Sequence, residues 1–218
     1  MGIVLGPNSS GKAENRLVRI YRDTPRHEIR DLSVSTSLRG DFDAAHMSGE
    51  QAKVLPTDTQ KNTVYAFASE YGVGEIEDFA LTLGRHFVDE IEPIHGARVD
   101  VDEYAWDRIE VDGRGHDHSF VRRGQEVRTT TVTVERDGRA SVVSGLKDLT
   151  LLKSTGSEFR GFLADRYTTL EETRDRIMAT SVIARWRYVT PDADWAASYT
   201  GVRSILLARF ATTHSLAL

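Results

Sequence analysis

The chain has 218 residues, of which 39% are hydrophobic and 28% are charged, a balance that suits a globular protein of one or two domains. Its formal charge of -5 comes from 33 acidic and 28 basic residues, without the basic excess that DNA or RNA binding requires. The absence of cysteine excludes disulfides, thiolate catalysis and zinc–thiolate sites, and no apolar run approaches the roughly 20 residues that span a bilayer, so we expect a cytoplasmic protein.

The first elements in chain order are two predicted strands. At residues 17–22 and 31–38 apolar and polar side chains alternate, which is typical of an antiparallel sheet with one exposed face. Residues 39–55 are polar and have no sustained period, so we expect a loop there with at most a short strand.

Two helices are expected next. Thr57 is followed three residues later by Gln60, which is the spacing of a capping box, and apolar residues then recur at helical intervals until Gly72. Residues 75–91 carry a second apolar stripe with the same spacing. The first helix is therefore predicted to begin at Thr57, where free backbone N–H groups favour an anion.

Strand patterns return after the helices. Residues 97–111 and 128–136 are predicted strands, and the apolar parity changes between Val101 and Tyr104, which indicates a β-bulge. The Asp-Gly dipeptide at 137–138 separates two apolar runs and is typical of a turn. We therefore expect the chain to double back at this point.

The order of elements starts again after this turn. The expected elements are a strand over residues 141–153, a broken helical stretch over 157–177, a strand over 181–189 and a helix from Ala193. This order predicts an α+β fold of two halves, residues 1–137 and 138–218, of which the second is incomplete.

Two local motifs indicate other functions. Gly6 to Lys12 has the glycine and lysine spacing of a phosphate-binding loop, but Ala13 lacks the hydroxyl that would bind magnesium. His116 and His118 have the spacing that places two imidazoles on one face of a strand, where a metal would need a third ligand. A nucleotide-binding protein and a metal site are thus the weaker hypotheses.

A longer pattern is more specific. Residues 152–176, which include Phe159 and Arg176, resemble the signature of the urate oxidase family in residue type and spacing, and residues 56–65 and 116–122 resemble further family segments. The resemblance implies two tandem tunnelling-fold (T-fold) domains, each an antiparallel four-stranded sheet backed by helices, the second one truncated. It also implies a homotetramer with active sites between subunits.

The resemblance also implies which residues form the site. Lys12 and Thr57 match a catalytic pair that relays protons. The residues that match urate-binding groups of the family are Thr57, Asp58, Phe159, Leu170, Arg176 and Leu218. In this scheme Phe159 stacks on the purine, Arg176 grips its edge with paired donors, Leu170 forms an apolar wall and Leu218 offers a backbone N–H.

The activity implied is oxidation of urate by dioxygen and water to 5-hydroxyisourate and hydrogen peroxide, in purine degradation, with no metal or other cofactor. In the family, the segment resembling residues 213–218 is followed by a glutamine that pairs with urate and later by an asparagine and a histidine. We therefore expect little activity from this chain alone. The alternative is a non-catalytic T-fold module that binds a purine or serves in assembly.

Overall fold

A computed structural model describes residues 2–216 of the chain. In chain order the elements are β1 Ser10–Tyr21, β2 Glu28–Gly40, α1 Asp43–Met47, α2 Thr57–Glu70, α3 Ile76–Glu90, β3 Ile94–Val111, β4 Arg114–Glu135, β5 Ala140–Lys153, β6 Ser157–Glu158, β7 Met178–Arg187, α4 Trp195–Thr212 and β8 Ser215–Leu216. Within residues 2–216 no helix combines the length and the apolar character that crossing a bilayer requires.

The long strands form one antiparallel sheet in the order β1-β2-β3-β4-β5-β7. The predicted turn at 137–138 joins β4 to β5, with Gly138 at a φ of +86° that favours glycine. Strands from before and after this turn therefore share one continuous sheet. A separate parallel pair, β6 and β8, lies outside it.

The core lies between the sheet and helices α2 and α3. Alternate side chains of β2, β3 and β4 point towards the two helices, and α3 presents a stripe of fully buried residues that includes Leu83 and Phe87. Gly84 allows α3 to approach the sheet, because a Cβ there would stand 2.8 Å from the Val134 side chain. This packing follows from the predicted periods, two in the strands and 3.6 in the helices.

Three expectations about local structure are wrong. Residues 39–55 contain α1, a helix too short to show a period, which follows the buried Phe42. The irregularity predicted between Val101 and Tyr104 lies instead between Tyr104 and Trp106. Residues 157–177 form no helix, and Gly156 and Gly161 adopt positive φ at the start of this segment, which breaks a helical path.

The last helix is attached to the first half of the chain at its N-terminal end and, further along, by Tyr199 and Arg203, which both donate to the Glu126 carboxylate on β4. Trp195 is the one buried residue of α4, and its indole N–H donates to the Asp78 carboxylate on α3 at 2.7 Å. Asp194 caps the helix by accepting from the Ala197 amide at 2.9 Å. Further along, Ile205 remains 62% exposed, so most of α4 contributes little to the described core.

Candidate active site

Lys12 lies on β1 beside an irregularity of the strand. Its partner on β2 is Thr36, and Gly11 is required next to it, because a Cβ at Gly11 would stand 2.2 Å from the Thr36 carbonyl oxygen. The register shifts after Lys12, where Glu14 has a φ of +55° and donates its amide to the Ser35 hydroxyl at 2.9 Å. Such a bulge changes the direction in which the neighbouring side chain points.

Thr57 and Asp58 form the start of α2, as the sequence predicts, but the predicted capping box is wrong. Pro56 is the N-cap residue, and no side chain caps the helix. The Gln60 side chain is buried and bonds elsewhere, because it accepts from the Thr36 hydroxyl at 2.7 Å. The Thr57 hydroxyl makes no hydrogen bond to another described residue, which leaves it available to a ligand.

Lys12 and the first turn of α2 face one another. Directly paired residues on neighbouring strands project from the same face, so Lys12 points to the side on which Thr36 contacts α2. The pKa of Asp58 is lowered by its hydrogen bond from Lys61 and, to a smaller degree, by the charge of Lys12. We call Lys12, Thr57 and Asp58 the α2 cluster.

Phe159 and Arg176 form a second group, which we call the loop cluster. The Arg176 guanidinium lies 4.9 Å from the centroid of the Phe159 ring, and Phe162 stacks on Phe159 with a centroid distance of 4.8 Å. Ser157 holds the arginine, because its carbonyl accepts from the Arg176 amide at 2.8 Å and its hydroxyl accepts from Nε at 3.3 Å. An aromatic ring beside a guanidinium suits a flat, anionic ligand.

The loop between the two cluster residues is closed by local hydrogen bonds. Phe159 and Thr173 exchange backbone hydrogen bonds of 2.8 and 2.9 Å. Asp175 accepts from the Thr155 hydroxyl and from the Gly156 amide, and these bonds lower the pKa of its carboxyl. Side chains that bind nearby backbone in this way compete with a helix, which explains why the predicted helical stretch is absent.

Two further predicted site residues are less defined. Leu170 lies in the same loop, and its side chain is 59% exposed. The side chain is therefore accessible to a ligand. Leu218 lies outside the described residues. Leu216, the last described residue, is paired with Glu158, the residue that precedes Phe159.

The sequence reasoning missed an ionic group beside the loop cluster. Glu158 is 8% exposed, and its carboxylate lies 2.7 Å from Arg160 Nε and 3.6 Å from His214 Nε2. The hydrogen bond from Arg160 lowers the pKa of Glu158. Only the pairing of β6 with β8 brings His214 to this carboxylate, so the local sequence around Glu158 carries no signal for that contact.

The α2 cluster and the loop cluster are separate. No hydrogen bond, ion pair or ring contact between residues in the 2–216 range joins a member of one to a member of the other. Within residues 2–216 the two clusters therefore form two separate surfaces.

The weaker hypotheses receive no support from the geometry. Gly11 and Lys12 belong to β1, whereas a phosphate-binding loop must curve around its ligand between a strand and a helix. The rings of His116 and His118 lie 4.5 Å apart. In the part of the chain that the structure describes, no three His, Asp or Glu side chains are arranged to hold a metal ion.

The regions of the chain that match known proteins include both clusters. A family model described as Uricase matches residues 8–133 and 142–218. A uricase from Arthrobacter globiformis is 53% identical over 216 residues, which is 99% of this chain and 70% of the relative. A uricase from Dictyostelium discoideum is 37% identical over 211 residues, which is 95% of this chain and 73% of the relative.

Comparison with solved structures identifies the same family. The crystal structure of uricase from Arthrobacter globiformis superposes with a TM-score of 0.94 at 52% identity, and the match covers 100% of this chain and 74% of that one. The expected α+β T-fold class, an antiparallel sheet backed by helices, is thereby confirmed. The chain belongs to the uricase family, the urate oxidases, and is an oxidoreductase.

Proposed function

We propose that this chain oxidises urate with dioxygen and water to 5-hydroxyisourate and hydrogen peroxide, without a metal or other cofactor. The observation that carries the proposal is the placement of Lys12 against the first turn of α2, within a match to the uricase family that spans nearly the whole chain. In this reaction urate gives two electrons to dioxygen, which leaves as hydrogen peroxide, and water supplies the new hydroxyl. The protein must therefore hold urate and move protons.

The loop cluster is suited to holding urate. We assign Phe159 to stacking on the purine, and the nearby Arg176 can give paired N–H donors to the edge of the anion. We assign Leu170 to an apolar wall of the pocket and Leu218 to a backbone hydrogen bond with urate. Fixing a flat reactant in this way lowers the entropic part of the barrier.

The α2 cluster is suited to moving protons. Lys12 is exposed on the face that meets α2, and the Thr57 hydroxyl is free of other hydrogen bonds within the described chain. We assign Lys12 and Thr57 to a relay that takes a proton from urate and passes it towards the oxygen site. The N–H groups at Thr57 and Asp58 would bind the purine or oxygen at the helix N-terminus.

The separation of the clusters supports a site built between subunits of a homotetramer. Each subunit would offer its α2 cluster to the loop cluster of a neighbour, so that both incomplete surfaces become parts of a whole pocket. Apolar side chains of the second half are exposed, including Ile183 at 67% and Ile205 at 62% exposure. Such an assembly could cover them. Size measurement in solution tests this part of the proposal.

The domain boundaries belong to the same proposal. We divide the chain into T-fold domains at residues 1–137 and 138–218, and the break in the family match between residues 133 and 142 supports this division because it surrounds the turn between β4 and β5. A cytoplasmic location is also proposed. Cell fractionation tests the location, and limited proteolysis at the turn tests the boundary.

The test of function is urate-dependent oxygen uptake by the purified protein with chelator present. Any turnover should depend on Lys12, so Lys12→Met should abolish most of it. Lys53→Met is the matched control, since Lys53 is an exposed lysine whose ion-pair partner is Asp41, which is not a member of the α2 cluster. Urate binding without turnover would favour the non-catalytic module, and absence of both binding and turnover would contradict the proposed function.

A further inference from the structure

Thr36 and Gln60 are two buried polar residues beside the α2 cluster. Thr36 is 5% exposed and Gln60 is fully buried. The Thr36 hydroxyl donates to Gln60 Oε1 at 2.7 Å, and Gln60 Nε2 donates to the Leu55 carbonyl at 3.3 Å. A hydrogen bond between buried side chains is directional, whereas apolar contact is not.

These bonds link the two segments that carry the proposed proton relay. Thr36 is the strand partner of Lys12, Leu55 precedes Thr57 by two residues, and Gln60 follows it by three. The Gln60 amide therefore binds the chain before Thr57 and the strand opposite Lys12 at the same time. A shift of α2 relative to the sheet would break both bonds.

Helix packing alone does not require this polar pair. Val64 and Ala68, on the following turns of α2, are buried against the sheet and hold the helix by apolar contact. Such contact allows small slides and rotations at little cost, but a proton relay needs donor and acceptor at hydrogen-bond distance. The pair adds the positional restraint that the apolar contacts lack.

We propose that Thr36 and Gln60 are positioning residues for urate oxidation, which together set the distance and angle between the Lys12 ammonium and the Thr57 hydroxyl. The proposal rests on the proposed function, because it assigns these residues to the same relay. Neither residue is assigned a contact with urate. Their loss should therefore act on the chemical step through the arrangement of Lys12 and Thr57.

The test uses steady-state kinetics of the intact protein. Thr36→Val, which removes only the hydroxyl, and Gln60→Leu should each lower kcat by roughly 10- to 100-fold while KM changes by less than about 3-fold. The pH dependence of kcat should also change, since proton transfer is the affected step. Thr36→Ser, which keeps the hydroxyl, should recover most of kcat, and the double variant Thr36→Val/Gln60→Leu should be no slower than the slower single variant.

Ser144→Ala is the matched control. Ser144 is also a fully buried sheet residue, and its hydroxyl lies 2.5 Å from Glu77 Oε1 on the neighbouring helix α3. Removing this hydroxyl should lower the thermal midpoint and leave kcat and its pH dependence unchanged. A protein in which Thr36→Val behaved like Ser144→Ala would overturn the positioning role, because the pair would then contribute only to stability.

Failure of this inference can be told apart from failure of the proposed function. If the unmodified protein does not oxidise urate, the proposed function itself is wrong and the positioning role falls with it. If the unmodified protein turns over, Lys12→Met does not, and Thr36→Val keeps the kcat and pH profile of the unmodified protein, the relay stands and the positioning role alone is rejected. Additive losses in the double variant would likewise show that the two residues act separately.

Discussion

The two clusters of the candidate site differ in how the fold supports them. The α2 cluster is built on the edge strand β1, its neighbour β2 and a helix whose inner face is packed into the core. Its backbone is held by sheet pairing and by the Gln60 side chain. The loop cluster lies in a segment without a helix or long strand, held by a few local hydrogen bonds. The residues of the proposed proton relay are thus held by packed secondary structure, whereas the proposed urate-binding residues are held by a loop that can adjust more easily.

The same contrast extends to the two halves of the chain. Most of the buried apolar side chains that the structure describes precede residue 137, and the described ones that follow it are Val142, Leu146, Leu149 and Trp195. Helix α3 buries an apolar stripe, whereas α4 buries a single residue. Stability of the described fold should therefore depend mainly on the first half, and the second half should depend more on surfaces outside it.

The largest expected effect is on stability. Phe87→Ala, at a fully buried position of α3, should lower the free energy of unfolding by about 3–5 kcal/mol, because it removes apolar contact and leaves a cavity. Ile205→Ala on α4, where the side chain is 62% exposed, should cost less than about 1 kcal/mol. Urea unfolding of both variants measures the difference. Similar costs at the two positions would break the comparison and show that another surface covers α4.

The packed elements were predicted correctly from the sequence, whereas the loop that carries the loop cluster was not. Helices α2 and α3 and the strands around them were predictable, because each buries one face and so carries a clear period. Residues 157–177 were predicted wrongly, because helical spacing of a few apolar residues could not show that Gly156 and Gly161 adopt positive φ.

Parts of the site were beyond sequence reasoning for another physical reason. The role proposed for Gln60 depends on Thr36, which lies 24 positions earlier in the chain. The contact of His214 with Glu158 likewise depends on strand pairing over a long sequence separation. Spacing within one element carries no information about such partners. The family resemblance assigns Lys12 and Arg176 to the site but says nothing about what holds them.

The second prediction concerns the loop cluster. Arg176→Lys keeps the positive charge but replaces a planar set of paired donors with a single ammonium, so KM for urate should rise by roughly 10- to 100-fold with a smaller change in kcat. Arg174→Lys is the control, since Arg174 is exposed two residues earlier in the same segment. Steady-state oxygen uptake separates the two constants. A fall in kcat alone would contradict the assignment of the loop cluster to binding.

The third prediction tests the link between α4 and the first half. Trp195→Phe keeps an aromatic ring against Tyr188, whose ring centroid lies 4.8 Å away, but removes the N–H that donates to Asp78. The free energy of unfolding should fall by about 1 kcal/mol. Trp186→Phe, which removes a 2.9 Å bond to the neutral Tyr188 hydroxyl, should cost less. Equal costs would mean that the charged partner adds nothing to this link.

The smallest expected effects are changes in the pH dependence of stability, and they have opposite signs at two glutamates. Glu126 on β4 binds Arg203 of α4 with two hydrogen bonds of 2.7 Å, and these lower the pKa of its carboxyl. This contact adds stability above the ordinary glutamate pKa of about 4.3 and loses it as pH falls through the lower folded value. Since Arg203 is partly exposed, the Glu126–Arg203 ion pair should contribute less than about 1 kcal/mol to the free energy of unfolding.

Glu77 on α3 should show the reverse dependence. Burial raises the pKa of its carboxyl, although Arg128 and Ser144 oppose the shift. The folded state therefore holds this proton more tightly than the unfolded chain, so stability falls as pH rises from the ordinary value through the raised one. Urea unfolding across this range should show that the free energy of unfolding of Glu77→Gln increases relative to the unmodified protein as pH rises. For Glu126→Gln the same relative increase should appear as pH falls. Parallel slopes for the two variants would mean that Glu77 stays ionised in the core, with Arg128 compensating fully for its burial.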